Sequence, residues 1–274
     1  MTPTNRPFRY AILGAAIGAA VTAVPVQAEM TIRFQDEPDK SVSVIMIKDG
    51  KVRIEDSDQQ GERNITIYDS ASEKVIVLVE EEKSYYEITE QGMRGQMGQL
   101  KDMQQQMKAQ MEEQLRNLSP EERRMVEQQM AQFGMGMPGA PKYEPPKITT
   151  KRTGRSQSVA GVRCDTYETL TDGKKTHEAC VANPGALKLS SGDHKTLLSM
   201  MEFMGRMADL AFESLGMASS GMALEFTREF KDGIPVQMKD MEDGTTTTMQ
   251  NTSTRGIAAD LFKVPAGYTR VDPM

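Results

Sequence analysis

The stretch that decides the fold is residues 41–56, with the sequence SVSVIMIKDGKVRIED. Two runs rich in β-branched residues flank Asp49-Gly50, a dipeptide typical of the two-residue turn of a β-hairpin. We therefore predict a hairpin whose facing apolar side chains share one side of the sheet. The facing pairs are Ile47 with Val52 and Ile45 with Ile54.

Similar patterns on both sides of this hairpin predict an antiparallel sheet of about a dozen strands. Each run alternates polar and apolar residues, or is continuously apolar, and ends at a turn signal such as Asp-Gly. The predicted strands outside the hairpin are residues 64–68, 75–79, 84–89, 161–170, 174–181, 223–230, 234–241 and 245–255.

Residues 92–147 interrupt the strand pattern with a methionine-rich insertion. Ser119-Pro120-Glu121-Glu122 supplies a helix N-cap followed by Pro at the first helical position, so we predict two helices that meet there as a hairpin. A further amphipathic helix is predicted over residues 195–215. The stripe of the first helix is Met93, Met97, Leu100, Met103, Met107, Met111, Leu115 and Leu118, and that of the later helix is Leu197, Leu198, Met201, Met204, Met207, Ala211 and Leu215.

Residues 1–28 have the three parts of a secretory signal peptide: Arg6 and Arg9, an apolar run, and a Val-x-Ala site ending at Ala28. The apolar run is shorter than the roughly 20 residues that a spanning helix needs. This segment holds two Arg and no Asp or Glu, so its removal changes the formal net charge from −6 to −8. We predict a soluble periplasmic protein, residues 29–274, that forms one domain and repels nucleic acid.

The two cysteines, Cys164 and Cys180, lie on strands that bracket the turn residues 171–173. In that register the two face each other, which predicts a disulfide in an exported chain. Closing a loop of about 16 residues stabilises the fold by roughly 3 kcal/mol. A metal site made with His177 is the rival interpretation, but strand alternation places His177 on the opposite face from Cys180. We predict no metal site there.

Enzyme signatures are scarce in this sequence. Neither His177 nor His194 has a nucleophile at an informative spacing, and the Ser-rich residues 218–221 lack the strand-to-helix elbow of a hydrolase. The acidic residues 56–58 and 80–82 fall at predicted turns, where carboxylates are mostly solvated. We therefore predict a non-enzymatic protein without a cofactor.

The methionine stripes admit three interpretations. Met fills irregular space in a core, adapts to varied apolar ligands, or supplies thioethers that suit Cu(I). The second interpretation places the helices over an apolar cavity, from which they can move. The candidate ligand-binding residues are Met103, Met107, Met111, Met201 and Met204.

Three further stretches resemble an uncharacterised exported bacterial family. They are residues 161–167 (GVRCDTY), 233–236 (GIPV) and 260–268 (DLFKVPAGY). Members of that family look like distant relatives of the periplasmic lipoprotein carriers and their half-barrel kin. The resemblance implies a strongly curved antiparallel sheet, an α+β half-barrel, whose hollow side is covered by helices with an apolar ligand between them.

Together these patterns predict a periplasmic binding protein for a lipid, an acyl chain or an exposed apolar segment of an envelope protein client, with possible transient membrane contact. Two alternatives remain open: a Met-rich envelope protein that binds copper, and a structural envelope protein without a ligand.

Overall fold

The computed structural model describes residues 29–58, 60–116, 146–214 and 233–272, together with the single positions 119 and 231. The predicted signal peptide, the second helix of the predicted hairpin and the predicted strand at 223–230 lie outside these residues. The described part of the chain forms one sheet of twelve strands. These are β1 (Met30–Glu37), β2 (Val42–Lys48), β3 (Lys51–Ser57), β4 (Arg63–Asp69), β5 (Lys74–Val79), β6 (Ser84–Thr89), β7 (Ile148–Val159), β8 (Val162–Thr171), β9 (Lys174–Ala182), β10 (Ile234–Asp240), β11 (Thr246–Ser253) and β12 (Thr269–Arg270).

The strand order is β12-β6-β5-β4-β3-β2-β1-β11-β10-β9-β8-β7. Strand β1 lies between β2 and β11, and its antiparallel pairing with β11 joins the N-terminal meander to the C-terminal half of the chain. Every pairing between the described strands is antiparallel except that of β12 with β6. Because β12 and β7 stand at the two ends of the order, the sheet is open.

Two α-helices are present in the described residues, α1 (Glu90–Arg116) and α2 (Ser191–Ser214), with short 3-10 helices at Pro184–Leu187 and Ala259–Phe262. Helix α2 confirms the predicted third helix and packs against β2 and β3. Helix α1 contacts α2 and β6 instead of lying across the sheet. The predicted α+β half-barrel covered by helices is therefore wrong: the described chain is mostly an open β-sheet. The second helix of the predicted hairpin lies outside the described residues.

The sequence of α1 explains why it covers so little of the sheet. Met93 packs against the main core and Met97 is half-buried, whereas every later side chain of α1 that the structure describes is exposed. Most residues of this helix are Gln, Glu, Lys, Arg or Gly, and the Met stripe between them is narrow. A stripe of that width buries little apolar surface, and among the side chains of α1 that the structure describes only those of the first turns are held against the fold.

The hairpin predicted at Asp49-Gly50 is confirmed, with Ile47 opposite Val52 and Ile45 opposite Ile54. Asp49 and Gly50 both have positive φ angles, 50° and 74°, as the tight two-residue turn requires. These four apolar residues belong to the main core or pack against it.

The hairpin of β8 and β9 differs from its predicted register. Its turn is the two-residue Asp172-Gly173, and Thr176 is an extra residue where the register shifts. Together these changes place Cys180 opposite Thr166 instead of opposite Cys164.

Apolar side chains pack on both faces of the sheet. The main core contains Tyr68 and Val75 from β4 and β5 together with the buried side chains of α2. A second, smaller core has Ile67 and other side chains from the opposite face, since neighbouring residues of a strand point to opposite sides. The C-terminal segment covers this second face. Its contributing residues are Ile257, Phe262, Val264 and Tyr268.

Candidate ligand cavity

A cavity of about 270 Å³ lies between α2 and strands β1, β2, β3, β10 and β11. Most of its lining side chains are apolar, and the polar ones are two carboxylates and two hydroxyls. The apolar lining comprises Ile32, Phe34, Ile45, Ile54, Leu197, Met200, Met201, Ile234, Pro235 and Met238, and the polar lining comprises Asp36, Ser43, Asp56 and Thr247.

The pairing of three strands arranges this lining in rows. Ile45 of β2 lies opposite Ile32 of β1 and Ile54 of β3, which makes one apolar row across the sheet. Two residues along β2, Ser43 lies between Phe34 of β1 and Asp56 of β3. Because side chains two residues apart share a face, the cavity changes from apolar to polar along the strand direction.

The polar end of the cavity is held by short hydrogen bonds. Ser43 Oγ donates to Asp56 Oδ1 at 2.5 Å, and Ser41 Oγ donates to Asp36 Oδ2 at 3.0 Å. Asp36 Oδ1 is buried and accepts no hydrogen bond. None of the described residues that line the cavity is Lys, Arg or His, so the charge at this end is negative.

Helix α2, which forms one wall of the cavity, is fixed to strand β4 by aromatic and polar contacts. The rings of Tyr68 and Phe203 lie 5.7 Å apart, and the Tyr68 hydroxyl lies 2.7 Å from Ser199 Oγ. Burial raises the pKa of the Tyr68 phenol above its ordinary value. The guanidinium of Arg206 lies 5.8 Å from the Phe203 ring centre and pairs with Glu73 at 3.2 Å.

The start of α2 is set by a reciprocal cap. Ser190 Oγ accepts a hydrogen bond from the backbone N–H of Asp193 at 3.0 Å and donates one to Asp193 Oδ2 at 2.7 Å. Asp193 is buried, and this burial raises the pKa of its carboxyl group. The cap satisfies an N–H group that the first turn of a helix leaves unpaired, so it defines where the wall begins.

The predicted ligand-binding methionines fall in different places. Met201 lines the cavity, whereas Met204 is 48% exposed and Met103, on α1, is 58% exposed. Met107 and Met111 lie on α1, and their side chains are outside the described part of the structure. Among the three of these methionines whose side chains the structure describes, only Met201 lines the cavity.

Sequence reasoning missed Met200, which is buried and lines the cavity next to Met201. The buried apolar face of α2 runs through Leu197, Met200, Phe203 and Met207. These residues recur at spacings of 3, 3 and 4, a pattern as helical as the predicted stripe. The large aromatic Phe203 was the available signal for the correct face.

The predicted disulfide between Cys164 and Cys180 is confirmed, with 5.3 Å between the two Cα atoms. Both residues are buried in the main core and neither lines the cavity. His177 pairs with Asp240 at 3.3 Å instead of approaching the cysteines. Within the described ranges, no three side chains of His, Cys, Asp or Glu come together as a metal site.

An ion-pair network crosses strands β7, β8 and β9 outside the cavity. Lys175 pairs with Glu178 and, at 3.1 Å, with Glu168, while Arg155 pairs with the same two carboxylates at 3.0 and 3.2 Å. The hydrogen bond from Lys175 lowers the pKa of Glu168 and that of Glu178, against the opposing effect of desolvation. This network ties the edge strand β7 to its neighbours.

No helix in the described part of the chain has the length and apolar character needed to cross a membrane. A model of the family described as "Domain of unknown function (DUF4412)" matches residues 86–268. No curated protein matches the chain. The matched segment includes α2, β10 and β11, while the cavity strands β1, β2 and β3 precede it.

Proposed function

This chain belongs to the DUF4412 family of domains of unknown function, and we propose that it is a non-enzymatic binding protein that holds the apolar part of a ligand between α2 and the sheet. The observation that carries this proposal is the apolar cavity lined by Met200, Met201 and the strand residues Ile45 and Ile54. An acyl chain or the apolar side chains of a client peptide are the ligands that such a lining stabilises, because both lose water-exposed apolar surface on entry.

The size and composition of the cavity support this proposal. Its volume of about 270 Å³ is near the lower end of the roughly 300–1,000 Å³ typical of small-molecule sites. Such sites combine a mostly apolar lining with a few polar groups that orient the ligand, and here the polar groups stand together at one end. Met200 and Met201 add adaptability, because an unbranched thioether side chain adjusts its rotamers to the shape of its neighbour.

The proposed compartment is the periplasm. The disulfide between Cys164 and Cys180 is consistent with an exported protein, since such bonds persist in oxidising compartments. The signal-peptide pattern of residues 1–28 points to the same export route. An acyl chain is the ligand that the resemblance to the lipoprotein carriers implies.

The first experiment is native mass spectrometry of the protein purified from the periplasm without detergent, with lipid extraction and metal analysis of the same sample. We expect a non-covalent apolar adduct on the disulfide-bonded chain. Stoichiometric copper without such an adduct would favour thioether binding instead. Replacing Met103, Met107 and Met111 together by Leu separates these cases, because Leu keeps the apolar character and removes the sulfur ligands.

Two matched variants test whether the cavity is the binding site. Met201→Trp places a large ring on the cavity wall, whereas Met204→Trp places the same ring at an exposed position one turn further along α2. The wild-type chain has no Trp, so each variant carries a single one. We expect Met201→Trp to lose the adduct and Met204→Trp to keep it. Equal adduct levels in the two folded variants would refute the cavity as the site.

A further inference from the structure

The polar end of the cavity indicates which kind of head group the ligand has. We infer that this protein binds a cationic amphiphile, whose apolar chain enters between α2 and the sheet and whose ammonium group donates hydrogen bonds to Asp36 and Asp56. This inference rests on the proposed function and adds the chemistry of the head group to it.

The first observation is an unused acceptor. Asp36 Oδ1 is buried without a hydrogen-bond partner, although the other carboxylate oxygen, Oδ2, accepts from Ser41 Oγ at 3.0 Å. A buried acceptor without a donor is unfavourable, and a ligand N–H group that reaches it removes that penalty. Asp36 lines the cavity, so a rotation of its carboxylate brings this buried oxygen to a head group bound at that end.

The second observation is uncompensated charge. Asp36 and Asp56 both line the cavity, and the described lining residues include no Lys, Arg or His. Asp56 receives only a neutral donor there, Ser43 Oγ at 2.5 Å. Two carboxylates at the end of an apolar cavity repel an anionic head group and attract a cation. Both effects are stronger at the half-buried Asp36 than at the exposed Asp56, where water screens the charge.

The third observation links head and tail. Ile45 and Ile54 face the cavity two residues along their strands from Ser43 and Asp56. A ligand held by the carboxylates therefore lies next to the apolar surface of Ile45 and Ile54. A compact polyamine has no apolar chain to contact that surface. An ammonium joined to an alkyl or acyl chain satisfies both parts of the lining.

The test uses four probes with the same eight-carbon chain: octylammonium, octyltrimethylammonium, octanol and octanoate. Binding to the purified full-length mature protein is measured by isothermal titration calorimetry. We expect octylammonium to bind tightest, because it alone combines positive charge with N–H donors, and octanoate weakest. Equal or tighter binding of octanoate or of octyltrimethylammonium would overturn the inference.

Two variants locate the head group. Asp36→Asn should weaken octylammonium binding by about tenfold, as expected for loss of one charge-assisted hydrogen bond, and should change octanol binding by less than about threefold. Glu37→Gln removes the same charge from the adjacent residue, which does not line the cavity, and should leave both affinities unchanged. An unchanged octylammonium affinity in Asp36→Asn, with an unchanged melting temperature, contradicts the assignment.

The outcomes separate this inference from the proposed function. If none of the four probes binds and Met201→Trp changes nothing, apolar binding at the cavity itself fails. If the probes bind with equal affinity and Met201→Trp abolishes binding, the cavity is an apolar site and only the ammonium preference fails.

Discussion

The hydroxyl of Tyr68 lies 2.7 Å from Ser199 Oγ, and this contact joins the centre of the sheet to the helix that forms the cavity wall. Tyr68 is fully buried, while Ser199 is half-buried. Removing the Ser199 hydroxyl therefore leaves a buried Tyr68 hydroxyl that water cannot reach. Removing the Tyr68 hydroxyl leaves a Ser199 hydroxyl that water can reach.

Replacing either partner should show this asymmetry. Ser199→Ala leaves the buried Tyr68 hydroxyl without a partner and should lower the free energy of unfolding by about 1–3 kcal/mol, whereas Tyr68→Phe should lower it by about 1 kcal/mol. Urea unfolding of both variants and of the double variant measures this. The double variant should be more stable than the sum of the single losses predicts. Strict additivity would show that the hydroxyls do not interact.

The disulfide between Cys164 and Cys180 should stabilise the fold by about 3 kcal/mol, as expected for a bridge that closes a loop of 16 residues. Replacing both cysteines by Ala removes this constraint on the unfolded chain. Urea unfolding should show the loss, and reduction of the wild-type protein should lower its stability to a similar value. A reduced wild-type protein as stable as the oxidised one would contradict the prediction.

Gly233 should tolerate no side chain, although its φ angle is ordinary. A Cβ atom there would overlap the carbonyl oxygen of Ala182 and lie 2.9 Å from Val181 Cγ1. Gly233→Ala should therefore cost about 1–3 kcal/mol of stability, since backbone of β9 must move. Gly98→Ala is the control in open space: its Cβ meets nothing within 4 Å, and because Gly98 lies inside α1 the change should leave stability unchanged or raise it by up to about 1 kcal/mol. Equal melting temperatures of the two variants would exclude this close approach.

The ion-pair network on strands β7, β8 and β9 should make the free energy of unfolding depend on pH. The pKa values of Glu168 and Glu178 are lowered in the folded state, chiefly by the Lys175 ammonium. The stability they contribute is complete above the unfolded pKa of about 4.3 and is lost as the pH falls through the lower folded value. Replacing both by Gln should flatten the acid limb of a plot of unfolding free energy against pH. An unchanged acid limb would show that these carboxylates do not contribute.

Asp193 should give the opposite pH dependence of stability. Burial raises its folded pKa, so its contribution is complete below the unfolded pKa of about 3.9 and is lost as the pH rises through the folded value. Asp193→Asn keeps an acceptor for Ser190 Oγ and removes the charge. The stability of this variant relative to wild type should increase between pH 3 and pH 7. A constant difference across that range would contradict the raised pKa.

Local features of the fold were predictable from sequence. The Asp49-Gly50 turn, the pairing of Ile47 with Val52 and the position of α2 follow from turn chemistry and side-chain periodicity, which act over a few residues. The disulfide was predicted despite a wrong register. The shorter turn and the bulge at Thr176 each shift the pairing by one residue in the same direction, and a total shift of two residues leaves both cysteines on the same face of the sheet.

The location of the cavity was not predictable in the same way. The Met stripe of α1 has helical spacing, yet Met103 is exposed, since spacing defines a face without saying what covers it. On α2, the predicted stripe included Met204 and omitted Met200. Phe203 was a signal for the other face, and its packing against Tyr68 shows that this face is the buried one.

Short-range chemistry thus fixed the turns, the strand alternation and the cysteine bridge, because each depends on residues close in the chain or on one hairpin. The tertiary structure decided that β1 pairs with β11, that α2 packs against β2 and β3, and that Asp36 and Asp56 meet at one cavity. Those contacts join residues as far apart in the chain as Thr31 and Ser253. They form because that arrangement of strands and helix removes the most apolar surface from water.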